Sequence, residues 1–571
     1  MSGAKSKLMC LVWPDDKPDE HIVPVKIDDD DIVANLKKLI KDKHAPMLDK
    51  VAARNLVLWK CSGLPDDDNL EQTLKTIQFN GSDVRLVRLN KARQRICQLF
   101  GDEDLSKEPI HILVEIPALE NEAPLVSLAN LLKERQRFSA ELPPMCPSSL
   151  GIPSNFSKFQ EEQIPIACGR PPAADAPIPV TLLHPIFRQF LDNCDNHQPI
   201  AEDNNLVLEL MGAMSNFFRD EDARAAELRD ILTRHGIPVV TSTLTSKGHH
   251  FRTGGAVAIN GHLVAIMEVK EEIGSKGADP YAQVVLYYSH STAAKSQEFP
   301  KFNFPSLLIT AFGPQISFSG AVWTTRPHSQ VLTPTWPLFC HSSDMAMRES
   351  LARHFGAFKA AIRSLEQYYD ALNRHALLEN LDPQFPDPRT YRSLETETTV
   401  TFKYLRQIDE KKLLFIGEND NGDRICIKFV RRYSQAVHEK CAEMGIAPKL
   451  RGFEDIGARW KMVIMDALDE EYKPFDKDSL PANGREHIRA RLVELHQANL
   501  VHGDVRDVNI MVRKDGKPGL MLIDFDWSGI IGQVCYPISV NKMDLWRPDD
   551  VSDGLLIKSD HDIAMFDHIF D

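Results

Sequence analysis

Three short stretches in the last third of the chain carry a lysine, carboxylates and an amide at spacings that suit phosphoryl transfer. RICIKFV (424–430) reads as a β-strand with Lys428 in its middle. LVHGDVRDVNIMV (500–512) holds His502, Asp504, Arg506 and Asn509, and MLIDFDWS (521–528) holds Asp524-Phe525-Asp526. Phosphoryl transfer is mostly positioning and neutralisation of charge. Asp524 is expected to hold a Mg²⁺ ion bridging the β- and γ-phosphates of ATP, and Asn509 a second Mg²⁺. Asp504 would orient and deprotonate the acceptor, and Lys428 would pair with the α- and β-phosphates. Arg506, two residues after Asp504, is placed to neutralise charge developing on the γ-phosphoryl group. Each stretch alone is an ordinary strand end. Their order, with a strand lysine upstream and a short gap between the two loops, lets both loops meet at one metal.

A second constellation lies upstream. AIMEVK (265–270) puts Glu268 and Lys270 on one face of a strand, because side chains alternate. A carboxylate that binds Mg²⁺ beside a lysine that polarises water suits phosphodiester hydrolysis. Gln283 and Tyr287 follow, one helical turn apart, and Glu221 sits on a helical pattern over 205–234. A surface salt pair is the plain alternative for Glu268 and Lys270.

These groups need elements to hold them. Residues 7–13 and 20–27 read as strands around a Pro/Asp turn. Asp28–Asp31 precede one apolar helical face of Ile32, Leu36, Leu39 and Ile40. Strand patterns return at 55–60, 83–88 and 110–116, which predicts a small sheet packed on one helix. Asp66–Asp68 read as a solvated turn. From about 139 to 180 the prolines are dense enough to predict a linker. GAVAINGHLVAIMEVK (255–270) predicts a hairpin turning at Asn260-Gly261. Residues 281–290 read as helix, and 305–311 and 318–324 as strands. Over 346–375, Leu351, Phe355, Phe358, Ile362, Leu365 and Leu372 make the core stripe of a long helix. LDPQFPDP (381–388) marks the next boundary.

Composition bounds the function. The chain has 571 residues, 43% hydrophobic and 26% charged, enough for several cored domains. A net charge of -14 argues against a chain-wide basic surface for nucleic acid and leaves room only for a local groove. The ten cysteines form no CxxC pair and read as free thiols. No apolar run reaches membrane length, so no membrane insertion is expected. Asp15 and Asp16 interrupt the N-terminal apolar stretch, so a secretory signal is not evident and an intracellular working site is expected.

The segment 386–571 resembles the minimal protein-kinase-like domains of fungal effector and toxin proteins, through HxDxxxxN (His502, Asp504, Asn509) and a DFD variant of the metal loop. That resemblance implies a two-lobed fold, ATP and Mg²⁺ as cofactors, a Ser/Thr-type protein phosphoacceptor, and a helical glutamate partner for Lys428. By spacing the glutamate falls near Gln435 or Ala436, with Glu439 the nearest carboxylate. Residues 412–424 lack a GxGxxG, and no APE motif follows Asp524. The pair Glu268/Lys270 with Gln283/Tyr287 resembles PD-(D/E)xK nucleases of the RecB-like type, which adds DNA as a second candidate partner. Gly254 stands where that family places an aspartate, so the nuclease-like site is expected to be weak or inactive, and Gly254→Asp to restore it unless Glu221 or Asp279 supplies the ligand. The N-terminal segment resembles the ubiquitin-like N-terminal domain of Crinkler effectors, through LVLWK (Leu56–Lys60) and LFGDEDLSKEPIHILVEIP (99–117).

The resemblance implies a multidomain α+β chain. Residues 1–120 form a β-grasp, ubiquitin-like delivery domain and 121–180 a Pro-rich linker. Residues 181–380 form an α/β restriction-endonuclease-like core, and 386–571 the kinase-like fold. It implies an effector delivered to a host cell's cytoplasm or nucleus and meeting host proteins there; residence in the producing cell is the alternative. Lys91, Arg93 and Arg95 are a sparse nuclear-import cluster. A non-catalytic binder of nucleotide or DNA remains open beside the enzyme.

Overall fold

The computed structural model describes residues 5–13, 22–28, 30–43, 56–62, 73–74, 85–89, 95–100, 110–115, 128–272, 277–373, 382–409, 412–475, 484–515, 519–543 and 545–570. It is a mixed α/β chain of two compact units, Met1–Ala123 and Pro124–Asp571. Asp66–Asp68, Lys91, Arg93 and residues 101–109 of the expected delivery domain lie outside the described residues.

The first unit is a five-stranded sheet in the order Val23–Asp28, Lys5–Trp13, Ile112–Glu115, Val57–Cys61, Leu86–Arg88. Its central pair, Lys5–Trp13 and Ile112–Glu115, is parallel. Alternation divides each strand between two cores. Leu8, Cys10 and Val12 meet Val33, Leu36 and Ile40 of the helix Val33–Lys43. Leu11 and Trp13 face the other way, with Trp59, Cys61 and Leu113. LVLWK is therefore a buried strand. Its lysine keeps a polar outlet, with Lys60 Nζ donating to the Leu99 carbonyl at 2.6 Å.

In the second unit a six-stranded sheet runs Pro327–Val331, Gln315–Trp323, Ser306–Phe312, His262–Lys270, Gly255–Ile259, with Trp336–Pro337 beside Gln315–Trp323. The hairpin turns at Asn260 (φ 51°) and Gly261 (φ 78°), the positive-φ pair that a two-residue turn requires. The helix Pro280–Glu298 links His262–Lys270 to its parallel neighbour Ser306–Phe312. The helix Met345–Asn373 packs Phe355 and Phe358 edge-on and tilted against Phe318 of the sheet.

Two expectations are corrected here. Residues 128–180, the described part of the expected linker 121–180, are helical and packed rather than a linker. They form the helices Leu128–Glu141, Pro147–Leu150, Pro153–Glu162 and Val180–Leu183, and Phe138, Leu142, Leu150, Phe156, Phe159 and Ile166 enter the main core. Pro147 and Pro153 open their helices, where the missing N–H has no partner to lose. Proline density marks helix starts in this stretch. The pattern over 205–234 is likewise two helices, Ala201–Met214 and Glu221–Arg234. Asp220 accepts the Ala223 N–H at 2.9 Å and starts the second one afresh.

A second six-stranded sheet is antiparallel, in the order Thr390–Arg392, Thr399–Asp409, Leu414–Asn419, Arg424–Val430, Trp460–Asp466, Leu450–Gly457. A smaller part follows. It contains the strands Tyr472–Pro474, Ile510–Arg513 and Leu520–Leu522 and the helices Gly484–Gln497 and Ser559–His568. The boundary near 386 is tightly packed. Arg188, on the helix Pro185–Asn196, donates to Ile456 O at 3.0 Å and to Asp387 at 3.0 Å, while Trp460 Nε1 reaches Thr181 Oγ1 at 3.1 Å.

Candidate active site

The strand Arg424–Val430 alternates between two environments. Ile425, Ile427 and Phe429 enter the main core, and Cys426 and Val430 line the opposite face, which Lys428 shares. Below it, two loops flank the hairpin Ile510–Arg513/Leu520–Leu522. Buried Asp562, on the helix Ser559–His568, holds the first loop. Its two oxygens accept the His502 and Gly503 N–H groups, both at 2.8 Å, and His496 Nε2 adds a third contact at 3.1 Å. Gly503 has φ +86°, and a Cβ there would lie 2.8 Å from the Trp527 carbonyl, so only glycine fits. Phe525 anchors the second loop, stacked on the His438 ring at 4.6 Å and tilted against His502 at 5.1 Å.

The loops converge on two linked clusters. In one, Asp504 Oδ2 accepts Arg506 Nη2 at 2.7 Å and Asn509 Nδ2 at 2.9 Å, while Oδ1 accepts Arg547 Nη2 at 2.9 Å. Arg547 is buried over Trp527. In the other, Lys428 Nζ donates to Asp524 at 2.8 Å and to Asp526 at 2.5 Å. Burial pushes the Asp526 carboxyl up to about 7, against the pull of Lys428 and with the push of the Asp524 charge. For Asp524, burial acts in the same direction, but the Lys428 ammonium outweighs it and holds this carboxyl below its ordinary range. The backbone joins the clusters, with Ile523 N–H donating to Asn509 O at 3.0 Å.

Two carboxylates and an amide are hard oxygen donors of the kind Mg²⁺ takes, together with phosphate oxygens and water. Among the described residues no group of three or more Asp, Glu, His or Cys makes a metal site unaided. Asp524, Asp526 and Asn509 are the residues whose oxygens could hold such a metal.

The structure thus brings Lys428 to Asp524 and, in a second cluster, Asp504 to Arg506 and Asn509, the two joined by one backbone hydrogen bond. It does not bring Glu439. That residue accepts Gln435 Nε2 at 2.8 Å within its own helix, Gln435–Glu443, whose buried residues are Val437, His438 and Cys441. The lysine's partners are the two aspartates instead. Three residues escape sequence reasoning in these roles. Asp526 is visible as the third letter of DFD without a role. Arg547 and Asp562 carry no local signal, since they lie 43 residues from Asp504 and 60 from His502.

The upstream constellation also assembles. Lys270 Nζ lies 2.9 Å from Glu268 and 3.3 Å from Glu221. Gln283 Nε2 meets the Tyr287 hydroxyl at 3.2 Å, which donates to Arg252 O at 2.7 Å. Asp279 is engaged elsewhere, capping the helix Pro280–Glu298 through the Ala282 N–H and pairing with Arg170 at 2.8 Å.

Gly254 has a structural reason. A Cβ there would lie 2.9 Å from Met267 O and 3.2 Å from Val269 N, both backbone atoms of the neighbouring strand. The expectation that Gly254→Asp restores a metal ligand is therefore reversed. The substitution should force the strands apart, costing about 2 kcal/mol or more, and add no Mg²⁺-dependent DNA cleavage. Urea unfolding and a plasmid-nicking assay check both halves.

Glu268 is 2% exposed. Burial pushes its carboxyl from the ordinary 4.5 up to about 7, although Lys270 pulls the other way. The folded state then holds this proton more tightly than the unfolded chain. The resulting stability is present in acid and is lost as pH rises from 4.5 through about 7. The span corresponds to about 3 kcal/mol. Glu268→Gln should flatten that decline, read as urea-unfolding free energies at both ends of the window.

Residues 7–115 match the Crinkler effector protein N-terminal domain family. Over 144 residues the chain is 31% identical to Crinkler effector protein 1 of Rhizophagus irregularis. The match covers 24% of this chain and 28% of that protein, so it spans little more than a quarter of the relative. Among solved structures, the Cydia pomonella granulovirus kinase PK-1 aligns over 23% of this chain and 53% of its own, with 21% identity and a TM-score of 0.20.

Proposed function

We propose that this chain, a Crinkler-family protein through its N-terminal domain, is an effector that transfers phosphate from Mg-ATP inside a host or target cell. The observation that supports this reading is the pairing of Lys428 with Asp524 and of Asn509 with Asp504, on a strand and two loops joined by the Ile523–Asn509 backbone bond. The antiparallel sheet bearing Lys428, above a smaller part bearing both loops, supports a two-lobed, minimal protein-kinase-like fold.

In this reading Mg²⁺ neutralises phosphate charge when bound. Asp524, Asp526 and Asn509 would hold it, and Lys428 would turn to the phosphates. A carboxylate offers about four acceptor positions, and Arg506, Asn509 and Arg547 use three on Asp504. The position left can accept one hydroxyl proton, which suits a Ser/Thr-type acceptor. Arg506 stays beside it to stabilise the transferred group's charge.

The first unit's strand order, with a helix on one face, supports a β-grasp domain for delivery. The hairpin, crossover helix and Glu268–Lys270 pair support a restriction-endonuclease-like core that is weak or inactive on DNA. Among the described residues no helix is long and apolar enough to cross a membrane.

A second reading, a nucleotide binder without turnover, is favoured by one observation: Lys428 is neutralised by two carboxylates. Incubation of the full chain with γ-labelled Mg-ATP and candidate host proteins separates the two. Transfer of label supports the first reading, and nucleotide binding without transfer replaces it with the second.

A further inference from the structure

Resting on the phosphoryl-transfer reading, we infer that Asp526 makes nucleotide binding wait for the metal. Phe525 sends its ring into the core between His438 and His502. The residues on either side turn the opposite way, and their carboxylates converge on a single ammonium, that of Lys428, at 2.8 and 2.5 Å. Asp524 is held with φ +73°, a conformation rare for a side-chain-bearing residue, which marks this convergence as built. Lys428 is shielded from water, and its stem continues the strand Arg424–Val430, so its ammonium has little freedom to serve two clients.

A nucleotide arriving without metal meets the wrong charges. Its phosphates must draw Lys428 away from two charge-assisted hydrogen bonds and then face both carboxylates. A divalent cation entering between the carboxylates reverses this. It replaces the ammonium with a stronger charge that prefers carboxylate oxygen, and it releases Lys428 toward the phosphates. Metal and nucleotide then assist one another, and by linkage the factor is the same in both directions. Asp524 alone would provide one carboxylate for one ammonium. Asp526 supplies the surplus negative charge that penalises the metal-free nucleotide.

The test uses the full-length protein and a non-hydrolysable ATP analogue, with dissociation constants measured in EDTA and at saturating Mg²⁺. The wild-type protein should bind about 100-fold more tightly with Mg²⁺. Asp526→Asn should tighten metal-free binding about tenfold and cut the Mg²⁺ effect to about tenfold, while Asp526→Glu keeps the wild-type pattern. Asp526→Ser should behave as the Asn variant does, which guards against a fold-specific effect of the amide. Wild-type Mg²⁺-dependent binding that is unchanged in Asp526→Asn and Asp526→Ser would overturn this inference and leave the phosphoryl-transfer reading standing. Absence of nucleotide binding by the wild-type protein in either condition would overturn both.

Discussion

Replacing Asp524 with alanine is expected to lower Mg-ATP-dependent labelling by about a thousandfold or more, a loss of about 4 kcal/mol of transition-state stabilisation. The reason is local. Asp524 is the carboxylate of the lysine cluster whose proton affinity Lys428 holds below its ordinary range. Asp524 is therefore the firmest anionic ligand this site would offer a Mg²⁺ ion. Without it the metal that would neutralise the γ-phosphoryl charge loses this ligand, and Lys428 is left to Asp526 alone. Folding should survive, since Phe525, which anchors the loop, is untouched. Labelling by purified Asp524→Ala protein at the wild-type rate would remove the site from consideration.

The largest stability effect is expected far from this chemistry, at Arg135. Its side chain is fully buried in the second unit. Nε donates to Thr324 O at 2.7 Å, Nη1 to Ser296 O at 2.7 Å, and Nη2 to Phe302 O at 3.1 Å and Trp323 O at 3.0 Å. Burial lowers its pKa to about 10, which still leaves it charged at neutral pH. One side chain thus satisfies carbonyls where a helix end and a strand end meet, and each buried carbonyl left alone costs about 1–3 kcal/mol. Arg135→Ala should destabilise the second unit by about 4 kcal/mol or more and lower its melting temperature on the order of 5–10 °C. Arg135→Lys should recover only part, because three donors on a point charge cannot reproduce a planar fork. The same contact decides where the chain can be cut. A protein starting at 124 should melt as a cooperative unit and keep nucleotide binding. One starting at 178, which deletes Arg135 and the buried Phe138, Phe156 and Phe159, should not. Equal melting of the two truncations would restore residues 128–177 to the status of a linker.

How far an interaction reaches along the chain separates the features legible in the sequence from those that depend on the assembled fold. Local signals are legible. The strand around Lys428, the hairpin at Asn260-Gly261 and the apolar stripe of Met345–Asn373 each depend on alternation, a positive-φ pair or helical periodicity, which a few neighbouring residues carry. Asp504, Asn509 and Asp524 are legible for the same reason, because they stand at fixed spacings within two short loops. Proline density misleads, since the same residue that breaks a helix interior also opens a helix, and only the tertiary contacts of Phe138 and Arg135 distinguish the cases. Lys428 takes Asp526 rather than Glu439 because the helix Gln435–Glu443 buries Val437, His438 and Cys441, and the rotation of a helix about its axis is a packing outcome. Arg547 and Asp562 reach the loop of His502 and Asp504 from 43 and 60 residues away, and no pattern within a loop records who will arrive from such a distance. Gly254 shows the same limit: read along the chain it is a missing ligand, and in the sheet it is the only residue whose backbone can approach Met267 and Val269 so closely.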